Sequence, residues 1–358
     1  MVPQTVPPAG GAIAPGRYAA DMRAMVLERP GPAASAPLSM TERPVPEPGP
    51  GELRLRVAAC GVCRTDLQIC EGDLAARRLP IVPGHQVVGI VDATGPGAGA
   101  AGPAIGDRVG LTWLAGTDGT CRFCVSGREN LCLTATFTGW DRDGGFADTV
   151  IADAAFAVPL PAGFPDLAAA PLLCGGVIGY RALRVAGIGP DSAGARLGLY
   201  GFGASARLAL QVARSWGVEA FVADRSEASR TRALELGATW AGALDDRPPA
   251  ALDAAVTFAP VGSVVAAALR ALDRGGVVAI NAIHLDRVPE LPYEDLWWER
   301  SIRSVANVTR ADAREFLELA ARIGITTDVE THPLADANVA LARLAVGRIA
   351  GTAVLVAG

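Results

Sequence analysis

A glycine-rich turn between an alternating apolar run and a helix-spaced run constrains this chain more than any other feature. Arg196 to Tyr200 reads as a strand, Gly201-Phe202-Gly203-Ala204-Ser205-Ala206 as the turn, and Arg207 to Trp216 as a helix. A second strand starts at Ala220 and ends on Asp224, twenty-one residues after Gly203. A lone G-x-G-x-x-A is a weak signal, but strand, turn, helix, strand and terminal acid together specify a dinucleotide-binding β-α-β unit. Gly201 permits the sharp turn, Gly203 lets the backbone approach a pyrophosphate, and Ala206 lets the helix pack close to the sheet. The anion then sits at the positive end of the helix. Asp224 can accept hydrogen bonds from both ribose hydroxyls and repels a 2′-phosphate, which favours NAD over NADP. Arg225, able to meet that phosphate, tempers the preference.

The rest of the chain divides around this unit. From about residue 175, strands at Ala254 to Phe258 and Gly276 to Asn281, with a helix over Val264 to Leu272 between them, continue a doubly wound parallel sheet. Before it, short runs broken by Gly and Pro, such as Leu53 to Val57, Val87 to Val91, Arg108 to Leu111 and Phe146 to Ile151, predict an irregular β-barrel. Residues 1–21, rich in Pro, Ala and Gly, are expected to be disordered.

Two segments of the β-rich half carry metal-ligand chemistry. Cys63-Arg64-Thr65-Asp66 and Gly84-His85 each adjoin an apolar run, so a thiolate and an imidazole converge if those runs are neighbouring strands. Cys174, at the end of Ala170 to Leu173, is the best third ligand, and three protein ligands leave the fourth position of a zinc ion open for catalysis. Any one of these cysteines alone is as readily explained as a buried filler.

Taken together, Cys63-Arg64-Thr65-Asp66, Gly84-His85, the cysteines near residue 120, Cys174 with Gly179-Tyr180-Arg181-Ala182-Leu183, and the turn at 201 stand in a telling order and spacing. In these features the chain resembles the zinc-dependent alcohol dehydrogenases of the medium-chain dehydrogenase/reductase superfamily, from about residue 22 onward. The resemblance implies a GroES-like catalytic domain over 22–174 and 309–358, a Rossmann domain over 175–308, and a homo-oligomer. It assigns Cys63, His85 and Cys174 to a catalytic zinc. Thr65 would bond the substrate oxygen, Asp66 the free N–H of His85, and Arg64 the pyrophosphate. It also implies a structural zinc lobe, in which Cys121, Cys124 and Cys132 occupy three of four cysteine positions and Asp118 the first. Carboxylate oxygen is a zinc ligand too.

Other departures bear on proton handling. Gln68 stands where many relatives carry a histidine relay, Gln86 where a glutamate is usual, and Thr352 where a phosphate-binding arginine is common. His284 and His332 do not replace the relay: the first belongs to a loop, the second precedes Pro333 and reads as structural. Trp113 and Trp140 are possible pocket walls or plain core aromatics.

Composition narrows the alternatives. The net charge of −5 offers no basic footprint for nucleic acid, and no apolar run approaches a membrane span. Seven cysteines, most of them clustered or in motif positions, point to metal in a reducing compartment, so the expected location is the cytoplasm. The 32 basic residues are all arginine, a bias that codon usage explains. The reading is therefore a zinc- and NAD-dependent alcohol dehydrogenase acting on a small-molecule alcohol or carbonyl substrate of open size. Its rivals are a reductase of conjugated carbon–carbon double bonds on the same scaffold and a non-catalytic NAD-binding sensor.

Overall fold

The computed structural model describes residues 21–98 and 102–357; the expected tail over 1–20 lies outside them, and Asp21 opens the first strand. That strand, Asp21–Leu27, pairs with Leu38–Pro44.

Six strands form a wholly parallel sheet. From one edge to the other they are Trp240–Gly242, Glu219–Ala223, Arg196–Tyr200, Leu252–Thr257, Leu272–Ile280 and Ser301–Ser304. In chain order this is 3-2-1-4-5-6, the doubly wound arrangement whose ligand crevice opens beyond the carboxyl ends of the strands where the order reverses. Leu252–Thr257 buries every residue but Asp253, as a strand covered on both faces must. The helix after the glycine turn runs Ala204–Ser215, three residues earlier than the sequence suggested, because Gly203 takes the N-cap place and small residues fill the first turn. It buries Ala206, Leu208, Ala209, Leu210, Val212 and Ala213 against the sheet.

The other sheet is mostly antiparallel and grows from one long strand, Glu52–Val62. One edge of it pairs with Gln86–Thr94; the other is shared by Thr149–Asp153 at its start and Thr352–Val356 at its end. The ladder continues through Arg108–Leu111 to Ala157–Pro159 on one side and to Val329–Pro333 on the other, a branched ladder without an unbroken ring among the described residues. The chain thus returns to its first sheet after the parallel one. Phe146 and Ala147 fall outside the expected strand; their loop instead passes its Phe146 carbonyl to the Met25 N–H at 2.9 Å.

Between the sheets the helix Gly175–Val185 packs on Ala204–Ser215 and Arg310–Ile323. The last of these is opened by Thr309, which forms a capping box with Asp312. One apolar cluster runs from Ala59, Val88 and Val354 through Leu172 and Phe316 to Leu199 and so spans both sheets.

Candidate active site

Adjacent strands bring the first two ligands together. Gly61 pairs with Gln86 across Glu52–Val62 and Gln86–Thr94, so Cys63 and His85, each just beyond this pairing, meet with Sγ and Nε2 3.4 Å apart. Cys174 arrives from the far side, between the buried turn Ala170–Leu173 and the helix Gly175–Val185. The three ligand atoms lie within 4.8 Å of one another. Tetrahedral zinc with bonds of about 2.0–2.3 Å sets its ligands roughly 3.4–3.8 Å apart, so this donor set fits one ion and leaves its fourth position free.

Asp66 fixes that arrangement. Its Oδ1 lies 2.9 Å from His85 Nδ1 and accepts the Gly84 N–H at 3.1 Å, while Oδ2 accepts the Cys63 N–H at 2.9 Å. One fully buried carboxylate therefore orients two ligands and keeps His85 Nε2 turned toward the sulfurs. Burial pushes the Asp66 carboxyl up, against the pull of His85. The Cys63 thiol is held well below its ordinary range, chiefly by the hydrogen bond from Cys174, whose own thiol that bond pushes up. Gly84 has φ +99° and its missing Cβ would strike the Phe146 ring, so glycine alone fits this turn.

The residues around the ligands divide by exposure. Arg64 is exposed at the start of the helix Arg64–Glu71, and Thr65 is half-buried with its N–H on Cys63 Sγ at 3.3 Å. Gln68 and Gln86 are both buried, and Gln68 Oε1 and Gln86 Nε2 each lack a partner. Trp113 lies 6.2 Å from His85 between ring centres, 4.6 Å from Phe137 and 5.7 Å from Trp140. The Trp140 indole donates to the Ala75 carbonyl at 2.9 Å, and the Arg77 guanidinium covers its face at 3.9 Å. The two tryptophans thus form one aromatic wall beside the metal site. Phe137, unmarked by any motif, completes it.

Asp118, Cys121, Cys124 and Cys132 also converge, their ligand atoms all within 4.8 Å of one another. Asp118 Oδ1 accepts the N–H groups of Thr120 and Cys121 at 2.9 and 2.8 Å, which holds its carboxyl well below the usual range. Oδ2 accepts the Thr134 hydroxyl and faces Cys132 Sγ, each at 3.2 Å. Cys121 and Cys124 sulfurs are 3.6 Å apart, the spacing of two ligands on one tetrahedral ion. Two residues that the sequence did not single out sit in the same lobe. Glu129 and Asn130 are buried and bond to Arg310 and Ala306, on the far side of the chain.

At the nucleotide end, Gly201 takes φ +87° against the Ala259 backbone, and a Cβ on Gly203 would meet nothing within 4 Å. That open space is what a closely approaching pyrophosphate needs. Asp224 accepts the Phe202 N–H at 2.6 Å and the Ser226 N–H at 2.7 Å, so it braces the turn and stands beside the crevice. Arg225 is exposed. His284 is exposed in its loop, and His332 is buried with Glu330 2.9 Å away; neither belongs to the ligand cluster.

The alcohol dehydrogenase GroES-like domain matches residues 49–162. A probable alcohol dehydrogenase, AdhA of Mycobacterium tuberculosis, is 50% identical over 340 residues, covering 94% of this chain and 97% of the relative. This chain belongs to the zinc-dependent alcohol dehydrogenase family. Among solved structures, a cobalt- and zinc-bound thermostable alcohol dehydrogenase from Pyrobaculum aerophilum superimposes with TM-score 0.84 at 26% identity, over 94% of this chain and 100% of that one. An acetophenone reductase from Geotrichum candidum in complex with NAD gives TM-score 0.83 at 26% identity, over 96% and 99%. The family is that of nicotinamide-dependent oxidoreductases, and this member keeps the donor set for zinc. Among the described residues no helix is long and apolar enough to cross a membrane.

Proposed function

We propose that the chain interconverts an alcohol and its aldehyde or ketone at Cys63, His85 and Cys174, with NAD in the crevice beyond Gly201 and Gly203. The observation that carries this reading is the convergence of two thiols and one imidazole on a single point, with Asp66 orienting two of the three. A bound zinc ion supplies Lewis-acid polarisation of the substrate oxygen, and NAD the hydride acceptor.

The remaining work falls to the chain. Thr65, beside Cys63, holds the substrate oxygen by its hydroxyl and relays the proton, giving up its own as it accepts the other. Gln68 cannot titrate, so the proton passes onward through water rather than a side chain. Arg64, exposed at a helix start, meets the pyrophosphate together with the N-terminus of Ala204–Ser215. Asp224 selects the unphosphorylated ribose, which favours NAD over NADP despite Arg225. The Trp113–Phe137–Trp140 wall borders the substrate and favours flat or small molecules. Cys121, Cys124, Cys132 and Asp118 hold a second, structural zinc. The functional units are 22–174 with 309–358 for catalysis and 175–308 for the nucleotide, assembled as a homo-oligomer in the cytoplasm.

A second reading has one observation in its favour. The buried, non-titrating Gln68 suits reduction of a conjugated carbon–carbon double bond, which needs no such relay from the alcohol. Product analysis with an enal separates the two: allylic alcohol supports the first reading, saturated aldehyde the second. For the first, Cys63→Ala should abolish turnover across a panel of primary, secondary and aromatic alcohols while NAD binding persists. Retention of most turnover by a variant shown to lack the ion counts decisively against it.

A further inference from the structure

We propose that Glu129 and Asn130 are positioning residues that couple metal in the cysteine lobe to cofactor at the carboxyl edge of the parallel sheet. The proposal rests on the reading of the lobe as a zinc site and of the crevice as the NAD site. Ser301–Ser304 is the last strand of that sheet, and the chain leaves it through Val305, Ala306, Asn307 and Val308 before entering Arg310–Ile323. This exit lies on the side where a doubly wound sheet receives its ligand.

The lobe grips this exit at two successive points. Asn130 donates from Nδ2 to the Ala306 carbonyl at 2.7 Å. Glu129 accepts the Arg310 N–H at 3.0 Å and the Arg310 guanidinium at 3.3 Å through the same oxygen. Glu129 is 5% and Asn130 7% exposed, so these bonds face little competition from water. Between the two grips Asn307 adopts φ +55°, with its Oδ1 accepting the Val308 N–H at 2.8 Å. A non-glycine residue rarely holds that conformation unless its surroundings enforce it.

The grip is tied to the metal ligands by covalent neighbourhood. Glu129–Leu131 is one short helical turn, and the next residue, Cys132, donates its N–H to the Glu129 carbonyl at 3.0 Å. Moving the Cys132 sulfur therefore moves both gripping side chains. The Arg310 guanidinium also lies 4.7 Å over the Phe156 ring, which packs with Cys132, Ala135 and Leu114. Outside that small cluster Arg122, Val125, Ser126, Arg128 and Leu133 are exposed, so little side-chain packing orders the lobe and a bound ion would add to it. Asn130 Oδ1 and Asn307 Nδ2, an acceptor and a donor, are both buried without a partner. The grip thus has unused hydrogen-bonding capacity for a shift of the exit when the crevice fills.

Because linkage is reciprocal, cofactor must tighten the lobe ion by the same factor by which the ion tightens cofactor. The test uses the zinc-loaded full chain. Affinity for each zinc is measured by competition with a chromogenic chelator, with and without saturating NAD, and the lobe ion is assigned as the one missing in Cys124→Ser. The expected result is lobe-zinc affinity raised about fivefold or more by NAD, with a matching loss of NAD affinity in Cys124→Ser. In Asn130→Ala and in the gentler Glu129→Gln, NAD's effect on lobe zinc should fall toward onefold. Equal lobe-zinc affinity with and without NAD in the wild type would overturn the coupling. So would variants that melt earlier yet keep the full NAD effect, since that is the signature of a stabilising role alone. Wild-type protein that binds one zinc, or no NAD, defeats the underlying reading first, and is seen before any variant is made.

Discussion

Replacing Asp66 by Asn tests how the catalytic donor set is held. Asp66 accepts from three donors in a space closed to water: the Cys63 N–H at 2.9 Å, the Gly84 N–H at 3.1 Å and His85 Nδ1 at 2.9 Å. An amide offers one accepting oxygen and one donating NH2. Whichever way it turns, the NH2 confronts either Cys63 or the His85–Gly84 pair, so at least one ligand loses its brace. A hydrogen bond to a charged acceptor contributes about 1.5–3 kcal/mol, and the opposed donors add to the loss. Against this, a neutral amide is spared the desolvation that pushes the Asp66 carboxyl up, so folding stability falls by less than the lost bonds alone suggest. The metal bears the remainder: outer partners of this kind are worth 10- to 100-fold in affinity, or about 1.4–2.8 kcal/mol. Asp66→Asn should therefore lower affinity for the catalytic zinc by 10- to 100-fold in a chelator competition, with lobe zinc and NAD binding unchanged. Catalytic-zinc affinity within twofold of wild type would refute the reasoning.

Three further outcomes follow from the site. Asp224→Gly should move the ratio of kcat/KM values toward NADP; because Phe202 and Ser226 lose their acceptor, it should also cost about 1–3 kcal/mol of stability by denaturant titration, and a wild type that already prefers NADP contradicts the assignment. Gln68→His should add a step to the pH–rate profile near the ordinary histidine value of about 6.5 and raise turnover above it if proton release limits the rate; an unchanged profile means the proton leaves by water alone. Asp118→Cys should strengthen zinc binding in the lobe and raise its resistance to chelators, measured as the melting temperature in limiting chelator, since a fourth thiolate replaces a carboxylate already occupied by two N–H groups.

The sequence made local chemistry legible and long-range contacts invisible. Gly201, Gly203, Ala206 and Asp224 could be placed in advance because a turn, a close approach and a strand end each demand a particular residue type over a short span. The same holds for Cys63 with Asp66, which are neighbours on one helical turn and reach His85 through a strand pairing that their apolar runs already suggested. The helix start was misread at Arg207 because small residues at 204–206 look like loop and behave as a first turn once Gly203 caps it. Phe137 could not be seen, since only packing against Trp113 and Trp140 gives it a place. Glu129 and Asn130 were equally hidden: their partners lie 181 and 176 residues away, and no local pattern marks a residue that acts at such a distance.

The position of Thr352–Val356 has a consequence for synthesis. This strand pairs with Cys60–Val62, at the heart of the first sheet, yet in chain order it follows the whole of the parallel sheet. Glu52–Val62 must wait on the order of tens of seconds for it at ordinary rates of elongation. The parallel sheet, complete at Ser304, is assembled in the meantime. The earlier sheet is therefore finished after the later one, and it waits with an unpaired strand edge that chaperones are suited to shield.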